Sequence, residues 1–335
     1  MDILIIVGQL VGGALGLHFG ANWLVSGSSR LALTFGIKPL VIGLTVVAFG
    51  TSAPELTVSV AGAIDGKGDI AVGNVVGSNI ANIGLILGIA AILRPMPVDA
   101  DVFRRDFPAM LIAALAIATL PFIGGAVDNG ESVGFMLDRW KGGLLVFGLL
   151  LFVWLTLRGA KTPSGEPAKP VADTPADDGD KPKQTSRLLL VGLTLLGLAV
   201  LVVGGKLFVD GAVSVAQKIG VPELVIGLTV VAVGTSLPEL ATSIVATLKK
   251  ESEIGLGNVV GSNVFNIFCV LGFVSLIQPV MIDAQIMRMD MIVMLVFSIM
   301  AVVFAKTSRV LGRREGVILL AAYGLYVANL FVGWV

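Results

Sequence analysis

The chain has 335 residues, of which 56% are hydrophobic and 14% charged, and its mean hydropathy is +0.95. A soluble globular domain carries about 25% charged residues, so the composition excludes a soluble enzyme and a disordered chain and leaves an integral membrane protein. Lys+Arg and Asp+Glu balance at 23 each, which leaves no basic excess to grip nucleic acid, and a single cysteine (Cys269) and a single histidine (His18) exclude a disulfide framework and Cys-based or multi-His metal sites.

Apolar stretches of about 20 residues span a bilayer as helices. Ten can be read, at 3–25, 40–64, 69–93, 107–125, 140–158, 187–210, 222–247, 254–277, 290–306 and 314–334. No Lys or Arg precedes the first and no small-residue cleavage site follows it, so it reads as a retained helix. His18 in that segment has no counterpart in the second half and reads as a bundle-facing or packing residue in preference to a proton relay. The segments fall into a first unit of five (1–158) and a second of five (187–335). Between them, residues 159–186 are rich in Pro, Ala, Asp and Lys without apolar periodicity, which predicts a solvated linker. Trp23, Trp140, Trp154 and Trp334 fall near segment ends, as an aromatic belt requires. With the N-terminus outside, inner loops carry 17 Lys and Arg and outer loops five. The positive-inside rule then predicts both termini outside and the linker in the cytoplasm.

Residues 40–62 match residues 224–246 at 16 of 23 positions with an offset of 184. The same offset aligns GNVVGSNIANI (73–83) with GNVVGSNVFNI (257–267) and, further on, Arg104/Asp106 with Arg288/Asp290. Each half therefore holds five helices, and an odd number of crossings turns the second half upside down. The expected fold is an all-α integral membrane protein of ten transmembrane helices in two inverted five-helix repeats, an architecture of secondary transporters. Packing alone would preserve volume; it would not preserve Thr, Ser, Glu and Asn in mid-membrane helices.

Glu55 and Glu239 lie near mid-bilayer depth, where a carboxylate costs at least a few kcal/mol unless it is paired or wetted. Each follows a proline, Pro54 or Pro238, which removes a backbone donor and clashes with the carbonyl four residues earlier. A broken helix is expected at each. At about 100° per residue, Ala48, Thr51, Ser52, Glu55 and Ser59 share one face, as do Ala232, Thr235, Ser236, Glu239 and Ser243. Asn74, Ser78 and Asn82 make a polar stripe at i, i+4, i+8, repeated by Asn258, Ser262 and Asn266. Converged, these groups form a site of hard oxygen ligands suited to Ca²⁺, Na⁺, Mg²⁺ or Mn²⁺. Two carboxylates would be neutralised by one Ca²⁺ or by two protons. The glycines at 73, 77, 84 and 88 read as close-packing positions.

The motifs GTSAPE (50–55) and GTSLPE (234–239), with the paired GNVVGSN segments, closely resemble the alpha repeats of the Ca²⁺/cation antiporter superfamily and, within it, the prokaryotic sodium/calcium exchangers. The resemblance covers nearly the whole chain. It implies a cell-membrane antiporter with helices two, three, seven and eight around the ions and Na⁺ influx driving Ca²⁺ out. Helices one and six, each glycine-bearing, would slide to alternate access. Ca²⁺ and Na⁺ are then substrates, and no cofactor is called for. Carried over residue by residue, the ligands are Glu55, Glu239, Thr51, Ser52, Thr235, Ser236, Ser78 and Ser262, the carbonyls of Ala48 and Ala232, and Asn82 at an amide position. Asn266 completes the set as a departure, because many family members have Asp there. An amide cannot titrate, which argues against K⁺ dependence. Exchange of Ca²⁺ or another divalent cation for H⁺ is the alternative, although the GN-x-x-E motif of the proton-coupled branch is absent. A channel, which needs a continuous pore, and an intramembrane enzyme, which needs a nucleophile–base pair, fit the repeat less well.

Overall fold

The computed structural model describes residues 3–100, 102–128, 133–160, 186–220 and 232–332. Two long helices, α1 (Ile3–Phe35) and the later α7 (Arg187–Lys218), run 33 and 32 residues, well beyond the minimum for a bilayer crossing. They lie against each other along a seam of glycines. A Cβ on Gly204 would stand 2.7 Å from the Gly16 carbonyl carbon, and one on Gly20 would stand 2.5 Å from the Leu201 amide nitrogen. Their backbones therefore touch directly, a contact that only small residues allow. The opposite faces of both helices expose Leu, Val and Phe, as a lipid-facing surface does.

After α1 the chain forms α2 (Pro39–Thr51) and α3 (Ala53–Ile64), which meet at an angle of 42°. The hinge is Ser52, with φ −80° and ψ 6°. Pro54 lies in the first turn of α3, where its missing N–H costs little. Next come α4 (Gly68–Leu93), α5 (Val102–Phe122) and α6 (Arg139–Arg158). Beyond α7, the helix α8 (Ala232–Thr235) is followed by α9 (Leu237–Leu248), with Ser236 at the junction in almost the Ser52 conformation (φ −87°, ψ 7°). The expected breaks are thus present before each proline. The chain continues through α10 (Ser252–Ile277), the short α11 (Ala284–Arg288), α12 (Asp290–Ser308) and α13 (Arg313–Val332).

Among the described residues, seven helices are long and apolar enough to cross a membrane, or eight with the bent α2–α3 pair taken as one span. Of the ten expected segments, 222–247 begins outside the described residues, and the last forms α13. Most of the linker, 161–185, also lies outside them, as does Trp334.

The helices α4 and α10 form the centre. In their most apolar stretches 78% and 83% of the residues are buried, against 17% in α1. The close approach of α2 to α10 rests on Gly43, Gly257 and Gly261; a Cβ on Gly257 would stand 2.8 Å from the Leu40 carbonyl oxygen. Gly84 and Gly88 admit Tyr323 and Leu320 of α13, the packing role expected of them. π-Helical turns interrupt α2 at Gly43–Val47, α4 at Asn82–Leu87 and α10 at Asn266–Leu271. Such turns recur at functional sites, and two of these begin at a candidate ligand.

Short strands depart from the all-α expectation. β1 (Met96–Pro97) pairs with β5 (Val310–Leu311), and β2 (Ala126–Asp128), β3 (Val133–Leu137) and β4 (Val280–Asp283) form an antiparallel sheet. They occupy connections between helices, and runs of two to five residues are too short to register as alternation. His18 also departs from its reading: it is exposed on the outer face of α1, and Asn22 donates to its carbonyl at 2.8 Å. Asp106 takes Arg105 in a bidentate pair at 2.7 and 3.1 Å, and Asp290 accepts from Tyr326 at 3.0 Å.

Gly204→Val is expected to cost about 1–3 kcal/mol by overpacking the seam, seen as a lower thermal unfolding midpoint in detergent. Gly192→Val, on the same helix with no described atom within 4 Å of its Cβ position, should leave the midpoint near native.

Candidate ion-binding site

The two helix breaks face the two central helices, and the polar side chains of all four elements meet there. Glu55 and Glu239 are fully buried. Each carboxylate accepts a hydroxyl from the other half of the chain. Ser52 donates to Glu239 Oε1 at 3.1 Å, and Ser236 donates to Glu55 Oε1 at 3.2 Å. The second oxygen of each, Oε2, is buried and has no hydrogen-bond partner among the described residues. Ser78 lies near the Glu55 carboxylate and Ser262 near Glu239, yet neither Oγ reaches hydrogen-bond geometry. Both polar atoms of Asn82 and Oδ1 of Asn266 are likewise buried and unpartnered.

Unpartnered buried polar groups typically cost about 1–3 kcal/mol each, and more when charged. Here they cluster: two carboxylate oxygens, two hydroxyls, and amide oxygens of two asparagines, all from residues that the sequence singled out. Such a set offers hard oxygen donors to a cation of the Na⁺ or Ca²⁺ class. Among the described residues no group of three or more His, Cys, Asp and Glu side chains assembles. The donors are instead two carboxylates supplemented by neutral oxygens.

The remaining candidates are also placed here. Thr51 donates to Asn258 Oδ1 at 3.1 Å and Thr235 to Asn74 Oδ1 at 3.4 Å. A hydroxyl that donates keeps its lone pairs, so both threonines can still face a cation. The Ala48 carbonyl accepts the Ser52 amide at 3.0 Å as an ordinary helical bond, and the Thr51 hydroxyl, whose shorter bond goes to Asn258, lies 3.4 Å from it. Ala232 is the first described residue of α8.

Reading the polar stripe as ligands alone missed the work of its first members. Asn74 donates to Ser59 Oγ at 3.0 Å and to the Glu55 carbonyl at 3.3 Å. Asn258 does the same to Ser243 at 3.0 Å and the Glu239 carbonyl at 3.3 Å. Each amide thus braces the broken helix of its own half and accepts a threonine from the other half. The signal was present, since both asparagines and both serines recur at the 184 offset; the spacing could not say which would brace and which would stay free.

The sodium/calcium exchanger protein model matches this chain over residues 5–158 and 189–332. The chain belongs to the sodium/calcium exchanger family. It is 38% identical over 335 residues to the inner membrane protein YrbG of Escherichia coli, covering 98% of each chain. It is 34% identical over 339 residues to the sodium/calcium exchanger MaX1 of Methanosarcina acetivorans, covering 95% of this chain and 97% of that one. Its fold matches the solved structure of the sodium-calcium exchanger NCX_Mj with a TM-score of 0.82 at 32% identity, over 98% of this chain and all of the other. Family membership makes it a multi-pass transmembrane antiporter in calcium and sodium transport. These relatives are membrane proteins and exchangers, in keeping with a transporter and not an enzyme.

Asn258→Ala removes three buried bonds at once and is expected to cost about 2–4 kcal/mol of stability. The check is thermal unfolding in detergent, where Asn22→Ala, half-buried and with its side-chain bond to His18 within α1, should change the midpoint far less.

Proposed function

We propose that the protein exchanges Na⁺ for Ca²⁺ across the cell membrane by alternating access, with both ions held between Glu55 and Glu239. The observation that carries this reading is the pair of buried carboxylates from opposite halves, each with one oxygen unpartnered. One Ca²⁺ would neutralise the pair. The ligands are Glu55, Glu239, Ser52, Ser236, Thr51, Thr235, Ser78, Ser262, Asn82 and Asn266, with the carbonyls of Ala48 and Ala232. Na⁺ ions would use the same carboxylates with the surrounding hydroxyls and carbonyls, so the two loadings compete. Neutral Asn266 removes a charge from the site and argues against K⁺ as a third ion.

The reading includes the architecture: ten spans in two inverted units, 1–158 and 187–335, joined by the 159–186 linker. The hydrogen bonds of the site support it, because they occur in pairs related by the 184 offset. The distribution of Lys and Arg supports an orientation with both termini outside and the linker in the cytoplasm.

The experiment is ⁴⁵Ca²⁺ uptake into proteoliposomes loaded with Na⁺ and diluted into Na⁺-free buffer. Uptake should require internal Na⁺ and should be lost in Glu55→Gln and in Glu239→Gln. Native uptake in either variant would refute the site assignment. Uptake driven by a pH gradient and indifferent to Na⁺ would establish Ca²⁺/H⁺ exchange instead, since two protons also neutralise two carboxylates.

A further inference from the structure

The paired bonds of the site break symmetry at Asn79 and Asn263. Asn79 and Asn263 occupy equivalent positions in α4 and α10, one residue after Ser78 and Ser262, and each is 1% exposed. Asn263 turns its Nδ2 back onto its own helix and donates to the Val259 carbonyl at 2.8 Å. Asn79 reaches across. Its Nδ2 donates to the Asn263 backbone carbonyl at 3.3 Å and approaches the Met294 sulfur at 3.8 Å. Its Oδ1 accepts Asn266 Nδ2 at 3.1 Å.

These contacts fix the direction of two amides in turn. Were Asn79 flipped, its oxygen would face a carbonyl oxygen and a sulfur, neither of which can donate. Its Oδ1 must therefore point at residue 266, and residue 266 must answer with a donor. Asn266 does so with Nδ2, which commits its Oδ1 to the opposite end of the amide, where it is buried and unpartnered. Asn82, the counterpart of Asn266, has no such constraint, because both its polar atoms lack partners.

We propose that Asn79 is a positioning residue that locks Asn266 with its oxygen toward the transported ion, making the two amide positions of the site inequivalent. Asn266 is a fixed oxygen ligand, and Asn82 is free to rotate as the loading changes. The proposal rests on the exchanger reading above and deepens it. It also accounts for an amide at 266: the Asn79 oxygen requires a donor there, which an ionised carboxylate lacks.

The test is Na⁺-driven ⁴⁵Ca²⁺ uptake by Asn79→Leu and Asn263→Leu, equal substitutions at equivalent positions. Loss of one orienting bond in Asn79→Leu should raise the KM for Ca²⁺ about fivefold to tenfold with kcat within about twofold of native. Asn263→Leu should leave the KM within about twofold. In an Asn266→Ala background the Asn79→Leu effect should vanish, because the residue acts through Asn266. Equal KM shifts in the two leucine variants, or an Asn79→Leu shift that survives Asn266→Ala, would overturn the proposal. Should a leucine variant fail to fold, Asn79→Ser and Asn263→Ser face the same comparison. Glu55→Gln runs alongside: uptake retained there sinks the exchanger site itself, whereas uptake lost there with matched Asn79 and Asn263 effects sinks only the positioning role.

Discussion

Two carboxylates without enough partners, buried in the middle of a membrane protein, set the terms for the rest of the molecule. Taking one ion into a low-dielectric interior costs several kcal/mol even after relaxation. Glu55 and Glu239 are both fully buried, and each receives one hydroxyl on one oxygen. That is too little to hold two like charges side by side. The proposed reading resolves the conflict with the transported cations: the site is complete only when loaded, so it has reason to take up ions in either conformation. Preserving the deficit requires that nothing else in the protein satisfy those oxygens. The amides of Asn74 and Asn258 conform to this, since they donate to serines and backbone carbonyls and leave the carboxylates alone.

The same bonds divide the molecule mechanically. Ser52 to Glu239, Ser236 to Glu55, Thr51 to Asn258 and Asn266 to Asn79 all cross between the halves. They tie the broken helices and the two central helices into one body. The pair α1 and α7 meets along a glycine seam, where contact is backbone on backbone. The polar ties of α1 to the rest include Lys249 to Ser26 at 2.7 Å and Ser29 to Glu251 at 2.9 Å, both near its C-terminal end. A seam of glycines offers few interlocking side chains to resist translation, whereas separating the central helices would break several buried hydrogen bonds. The proposed alternating-access cycle would keep the central helices together and assign the movement to α1 and α7.

The parts legible in the sequence were those written twice. Pro54 and Pro238 announced the breaks, and the hinge serines have nearly the same backbone angles in both halves. Glu55, Ser78 and Asn82 were recognisable because a carboxylate, a hydroxyl and an amide have no structural reason to recur in apolar segments. Periodicity gave the facing side of each helix and could not give the partner. Hence Asn74 and Asn258 emerged as braces only in three dimensions. His18 was misplaced because a helix that is apolar all round gives no internal signal of which face meets lipid. The connecting strands were invisible for the reason that they are two to five residues long and owe their form to pairing between distant loops. The inequivalence of Asn79 and Asn263 is the reverse case: the two residues match in sequence, and the packing makes them different.

The most direct test of the shared-site account is equilibrium ⁴⁵Ca²⁺ binding to the purified protein in detergent across a range of Na⁺ concentrations. If both ions depend on Glu55 and Glu239, the apparent Kd for Ca²⁺ must rise steadily with Na⁺, and the Glu55→Gln, Glu239→Gln double variant must bind no Ca²⁺ under the same conditions. A Ca²⁺ affinity indifferent to Na⁺, or one retained in the double variant, would contradict it.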